Sequence, residues 1–593
     1  MPRYFWRSLT SAFALLLAPT STRGFVWETI EPSSNLEYHD CYNDFKCARL
    51  SVRLDWLDLE NPHKVDIAII KLPATVPDND TSFGGSVLLN PGGPGGSGVT
   101  LALEWGKQAQ SILDGNKHYE IIGFDPRGVN FTTPHANCYP DPLTAAANTY
   151  LVSGIGPLEP GEDARTKWRM ALNSAYAKSC AATLDREGGI LRYASTASVA
   201  RDMVEIIDKI EELREKESEA EIPRNVTECN IGKKQPARLQ YLGFSYGTIL
   251  GNTFASMFPG RVGRMVLDGV ADANDYTAGT WLTNLQDADE IIDYFYKLCF
   301  EIGTQCPLLE NTDTSWEDIK KRVGDVIANL RDSPISFNAP SGPVLLRDVD
   351  VYAVLRTALY QPKMFFPVVY QGLYILLNGN YDAFGSAWES IYPKLDNLCP
   401  SNNPPPSPLD ALAIISCSDG EDKTKLGVDY WDDYVSQLRN QSEVLASPWA
   451  EASFLCSGWD IRPKYRYSGP FKTPEPDSAV VEGKPAAPLL FLSGRLDPVT
   501  PLRNAFAMAA GHPDSSVLIQ ESVGHCALVT ARSNCTEAFV REYFEHGSVP
   551  ESGTACEPEC GALEICEEEE SGGAPMLRRR RLGMGGAPFH RGF

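Results

Sequence analysis

Gly243 and Gly247 flank a serine in the run Leu242-Gly243-Phe244-Ser245-Tyr246-Gly247, between a strand-like stretch at 238–242 and a helix-like one at 247–257. A serine at the tip of a strand-turn-helix is the sequence form of a nucleophile elbow, and its chemistry is acyl transfer. The glycines are needed because a side chain at either position would collide with the neighbouring strand or helix. The turn strains the backbone at Ser245 and presents its hydroxyl near a helix N-terminus, where partial positive charge favours a developing anion.

A hydroxyl is a weak nucleophile at neutral pH and needs a base within reach. Of the 8 histidines, His525 is the one that follows a late apolar strand, the run at 516–520, in the loop Ser522-Val523-Gly524-His525. The others precede the expected sheet or sit at strand and helix edges, in turns or in the tail. An orienting carboxylate is expected from Asp497, just past the apolar strand at 488–492 and its Gly494 turn. Asp268, at the end of the strand 264–267, is the competing acid. The chain order serine, aspartate, histidine is that of α/β-hydrolases. The tetrahedral oxyanion needs N–H donors. Tyr246 supplies one, and Gly93, with Gly92 next, supplies the second from the loop Asn90-Pro91-Gly92-Gly93-Pro94-Gly95-Gly96-Ser97-Gly98. No Walker lysine or dinucleotide fingerprint accompanies that loop, which argues against nucleotide binding.

The elements that must position these groups follow from periodicity. Strand-like runs at 65–72, 86–89, 119–124, 238–242, 264–267, 489–492 and 516–519 alternate with helical stretches. One clear helix, 199–213, puts Val204, Ile207 and Ile210 on one side. Such alternation predicts an α/β fold, a mostly parallel sheet with helices on both faces. The segment 271–484 interrupts the pattern with amphipathic stretches at 291–300, 316–330 and 351–359, and is expected to form a large, mainly helical cap. The expected organisation is a signal peptide at 1–23, core at 24–270, cap at 271–484, a C-terminal core module at 485–566 and a disordered tail at 567–593.

These residues resemble the secreted tripeptidyl aminopeptidase-like branch of the α/β-hydrolases, related to prolyl aminopeptidases, over about 40–557. Cys41 to Cys47 with Ala48-Arg49-Leu50-Ser51-Val52-Arg53-Leu54-Asp55 is similar to the family's opening, and Asn90 to Gly95 to its oxyanion loop. Gly123-Phe124-Asp125-Pro126-Arg127-Gly128 is similar to a second early motif. Ile415-Ser416-Cys417-Ser418-Asp419, Cys456-Ser457-Gly458-Trp459, Gly494 to Pro501 and Gly524-His525 are similar to later ones. The resemblance implies cleavage of short peptides from a free N-terminus, with cap carboxylates on the terminal amine. Asp419 and Glu421 are acidic and late in the cap, and read as a solvated loop. Family spacing also suggests bridges Cys417–Cys456 and Cys535–Cys556.

The net charge of −24 and pI of about 4.8 exclude a nucleic-acid footprint and suit a dispersed soluble protein. Arg3, Arg7 and the short apolar stretch 9–18 read as a secretory signal, too short to span a bilayer, so a secreted, extracellular protein with no membrane span after signal removal is expected. The 15 cysteines agree with an oxidising compartment. Cys41 with Cys47 and Cys299 with Cys306 form plausible local pairs, and Cys526 is expected in a bridge or as a packed neighbour. Sequons stand at Asn79, Asn130, Asn225, Asn440 and Asn534, and a glycan on Asn130 would crowd the expected site. No zinc spacing is present, and the chemistry needs no cofactor.

The expectation is a secreted serine aminopeptidase acting through an acyl-enzyme on peptides. An esterase or small-metabolite hydrolase with the same triad is the alternative. A non-catalytic binding protein on this scaffold is the third possibility.

Overall fold

The computed structural model describes residues 25–221, 236–339, 342–381, 384, 407–475, 483–561 and 563. The signal segment, the tail from 567 and the Asn225 sequon lie outside them.

Twelve strands are described. β1 (His39–Cys41), β2 (Phe45–Arg53), β3 (Lys64–Leu72), β4 (Phe83–Asn90), β5 (His118–Phe124), β6 (Leu239–Phe244) and β7 (Val262–Asp268) precede the cap. β8 (Ile335–Ala339) and β9 (Gly342–Leu346) form a hairpin inside it, and β10 (Leu490–Leu496), β11 (Ser516–Val523) and β12 (Thr554–Cys556) follow. Ten of them make one sheet in the order β1-β2-β3-β5-β4-β6-β7-β10-β11-β12. The pairs from β1 to β5 through β2 and β3 are antiparallel, and every pair from β5 onward is parallel.

A parallel strand covered on both faces reads as a continuous apolar run. In β4, Val87 and Leu89 enter one apolar core and Leu88 the opposite one, all at 0 % exposure. Val204, Ile207 and Ile210 of the helix Thr196–Glu221 pack in the second of these cores, as their spacing predicts. A third core lies almost wholly within residues 285–454, inside a cap of helices. Helix Asp163–Leu184, from before the sheet's centre, leans on that cap: Arg169 pairs with Glu451 at 2.6 Å, and Tyr176 donates to Asp410 at 2.6 Å.

Disulfides join Cys41–Cys47, Cys299–Cys306, Cys417–Cys456 and Cys535–Cys556, as expected, and Cys138–Cys180, which had no local signal across a 42-residue separation. Cys526 is a buried free thiol, so it is a packed neighbour and not a bridge.

Candidate active site

β6 ends at Phe244 and the helix Tyr246–Met257 begins two residues later, so Ser245 alone makes the turn. It does so at φ 55°, ψ −124°, a strained region for a residue with a side chain. The turn is held by Ser245 N–H donating to the Asp268 carbonyl at 3.0 Å. A Cβ on Gly247 would lie 2.9 Å from both the carbonyl and the side-chain oxygen of Asn90 in β4, which is why the helix can start so close to the sheet. Ser245 is half-buried, and among the described residues its Oγ makes no hydrogen bond. Contacts of this kind are often long without substrate and tighten around it.

The loop after β11 brings the imidazole to this turn. The Cys526 sulfur lies against the Ser245 N–H, and its S–H points to the same Asp268 carbonyl at 3.6 Å. Cys526 therefore sits one residue from His525 and against Ser245, with φ 66°. Burial and the flanking carboxylates push its thiol well above the ordinary range, so it stays protonated and unreactive.

His525 Nδ1 lies 3.0 and 3.1 Å from the two oxygens of Asp497, and 3.1 Å from Thr500 Oγ1. The Asp497 carboxylate is fully buried and also accepts from the N–H groups of Val499, Thr500 and Cys526 at 3.0, 2.8 and 2.9 Å. Burial works to raise its pKa. The facing His525 imidazole and the N–H donors outweigh that and hold it below the usual carboxylate value. The competitor Asp268 is equally buried but accepts from Ala527 and Leu528 N–H at 2.7 and 2.9 Å, not from the imidazole. Burial, with Asp497 nearby, pushes Asp268 up to about 7. The structure thus brings Asp497 onto His525 and leaves Asp268 holding the backbone that follows.

The glycine loop lies over the elbow. A Cβ on Gly92 would meet Phe244 O at 2.4 Å and Tyr246 N at 2.9 Å. Gly92 N–H is taken by Asn90 Oδ1 at 2.9 Å. Gly93 N–H and Tyr246 N–H, the latter on the first residue of a helix, have no hydrogen-bond partner among the described residues. That difference separates Gly93 from Gly92 as an anion donor.

Two contacts had no sequence signal. The cap residue Tyr360 accepts the His525 N–H on its carbonyl at 2.9 Å, and its ring stands edge-on to the imidazole at 5.1 Å. Asp419 corrects the solvated-loop expectation: it is 2 % exposed, accepting from Thr196 N–H at 2.9 Å, Thr196 Oγ1 at 2.6 Å and Tyr276 hydroxyl at 2.9 Å. Thr196 Oγ1 in turn meets the Tyr246 hydroxyl. Burial raises the Asp419 pKa to about 6 against these donors. Glu421 is exposed and bonded to Arg466 at 2.8 Å. Asn130 Nδ2 donates to Ser97 Oγ at 3.0 Å and is half-buried, while Asn79, Asn440 and Asn534 are exposed.

Among the described residues, Asp497, His525 and Cys526 are the one grouping whose ligand atoms lie within 4.8 Å of one another. Those atoms are already engaged in the hydrogen bonds above, which favour proton handling over metal ligation.

Residues 85–292 match the family described as "alpha/beta hydrolase fold", and residues 442–556 match "TAP-like protein". The chain has the α/β-hydrolase fold. Tripeptidyl aminopeptidase of Streptomyces coelicolor is 22% identical to this hydrolase over 567 residues, covering 93% of the chain and 90% of the relative. Serine protease Hip1 of Mycobacterium tuberculosis is 25% identical over 521 residues, covering 86% and 87%. Carboxylesterase B of Mycobacterium tuberculosis is 33% identical over 161 residues, 27% and 28% of the two chains. The chain is a serine hydrolase similar to peptidases of the tripeptidyl aminopeptidase kind. Among the described residues no helix is long and apolar enough to cross a membrane.

Proposed function

We propose that this hydrolase is a secreted aminopeptidase that releases short peptides from free N-termini through an acyl-enzyme at Ser245. The observation that carries the reading is the buried Asp497 on His525 Nδ1, at 3.0 Å, in a loop packed against the Ser245 elbow. Asp497 holds the proton on Nδ1, so Nε2 is the free base. Nε2 takes the Ser245 proton as Oγ attacks the scissile carbonyl. The resulting oxyanion is received by the N–H groups of Gly93 and Tyr246. The imidazolium, stabilised by Asp497, then gives its proton to the departing amine. Water repeats the sequence on the acyl-enzyme with the same base.

The described residues of the segment 271–484 serve as the lid. They flank the site from two sides, with Tyr360 on His525 and the helix Pro408–Asp419 against the glycine loop, where a Cβ on Gly95 would lie 3.0 Å from Pro408 O. A cover of this sort excludes water and limits substrate length. Peptide cleavage is supported by the two long-range relatives, which are named as peptidases. The shorter match to a carboxylesterase keeps an ester substrate as the second reading.

The deciding experiment offers matched chromogenic peptides, N-terminally free and N-acetylated, beside p-nitrophenyl esters. Turnover of the free peptides with loss on acetylation is expected. Turnover of esters alone removes the peptidase reading.

A further inference from the structure

We propose that a cavity in the cap binds a compact oxyanion, a phosphate or a carboxylate, and that its occupancy is felt at His525. The cavity opens to solvent on one side. Among the described residues it is lined by five arginines from four helices. Arg169 comes from Asp163–Leu184, Arg331 from Trp316–Asp332 and Arg439 from Val428–Arg439, while Arg347 caps and Arg356 lies within the helix Asp348–Tyr360.

Four acids share the walls, and the bonds of Arg169, Arg331, Arg347 and Arg439, including Arg347 Nη1 on the Ser153 carbonyl at 3.2 Å, use only part of those four side chains' donor capacity. Arg331 Nε bonds Asp348 at 3.0 Å, Arg347 Nη2 bonds Asp350 at 3.3 Å, and an Arg439 Nη bonds Glu159. Each guanidinium carries five N–H donors. Arg169 is 3 % exposed, with Nη2 on Glu451 and Nη1 on the Gly156 carbonyl, yet its Nε is buried with no partner. Arg439 Nε is in the same state. Buried N–H donors left unmet are costly, and convergent planar forks are the geometry that grips a multi-oxygen anion.

The same helix links the cavity to the site. Arg356, 5 % exposed, is one turn before Tyr360, so both share a helix face. Tyr360 carries the carbonyl and ring that hold His525. An anion drawing on Arg356 changes the seat of the last turn and hence the imidazole. This coupling rests on the function proposed above; the binding does not.

Calorimetry and melting temperature on the full chain, at ionic strength held constant with sodium chloride, test it with inorganic phosphate, and with one tripeptide as free acid and as amide. Saturable phosphate binding supports a free-anion site. Binding of the acid but not of the amide, without phosphate binding, supports a carboxylate site. In either case Arg356→Gln and the rim pair Arg331→Gln/Arg439→Gln weaken binding about tenfold or more, and Lys321→Gln, an exposed control on the Arg331 helix, does not. The rim pair decides if Arg356→Gln does not fold. Absence of saturable binding, or equal binding in all variants, overturns the proposal. In the intact enzyme the bound anion shifts kcat or KM for peptide, and the rim pair abolishes that shift. Unchanged kinetics at saturation overturn the coupling alone. A protein that binds the anion but turns over no peptide overturns the function and leaves the site standing.

Discussion

Asp497 and Asp268 are both fully buried near one histidine, yet their environments push them in opposite directions. Asp497 faces the imidazole and stays ionised, while Asp268 meets only backbone N–H groups and is held protonated up to about 7. A triad needs the first kind of acid, since its charge stabilises the imidazolium. Asp497→Asn should therefore lower kcat about 10⁴-fold with the fold intact. Asp268→Asn should instead cost about 1–3 kcal/mol of stability, because an amide N–H then faces a backbone N–H, and should leave kcat within about tenfold. Steady-state kinetics and urea unfolding on the two variants separate these roles. Equal loss of kcat would return Asp268 to the site. Ser245→Ala should abolish labelling by a fluorophosphonate and remove about 10⁴-fold or more of the rate.

At the scale of elements, buried polar contacts tie the helices to the sheet. Arg127 of the second early motif is fully buried, bidentate to Asp202 of the helix Thr196–Glu221 at 2.6 and 2.7 Å. Asp202→Ala leaves that guanidinium buried without its acid and should cost about 3–5 kcal/mol in chemical denaturation. A loss below about 1 kcal/mol would mean that water reaches Arg127. Asp419 ties the last residue of the helix Pro408–Asp419 to Thr196 and, through it, to Tyr246. The two hydroxyls it accepts from can turn to accept from an amide, so Asp419→Asn keeps the contact and removes the titration. Its stability should then lose the pH dependence that the carboxyl contributes between about 4 and 6, read as a flatter melting-temperature profile.

For the molecule as a whole, buried acids set the sign of that dependence. Burial raises Asp125 and Asp419 to about 6 and Asp268 to about 7, from 3.8. Below 3.8 both folded and unfolded chains hold these protons, and the contribution is fully present. As pH rises, the unfolded chain releases them first while the folded chain retains them, so stability falls until the folded values are passed. Asp202, Asp410 and Glu451 are shifted the same way, again chiefly by burial. Burial lowers His512 to about 4, which gives the opposite slope over part of that window. The more numerous raised acids should still make the melting temperature decline between about pH 4 and 7, and a rise across that window in calorimetry would show that they do not set the sign.

Much of this was legible along the chain. The elbow, the existence of β10 and β11 and the helix of Val204, Ile207 and Ile210 are written in local periodicity and turn chemistry, which act over a few residues; the two strands run about four residues beyond their expected ends, to Leu496 and Val523, and Gly494 lies inside β10 and not in a turn after it. The short edge strands β1 and β12, with three residues each, carry too little pattern to read. The hairpin β8–β9 hides inside a helical region for the same reason. The preference for Asp497 over Asp268 followed from chain order, but its cause is a contact across 28 residues in sequence. The burial of Asp419 on Thr196, 223 residues away, and the seating of Tyr360 on His525 have no local trace. Residue type and spacing state which groups are able to react and which stretches extend or coil. Depth, and therefore charge state and partner, arises when distant segments exclude water from one another, and that is settled by packing.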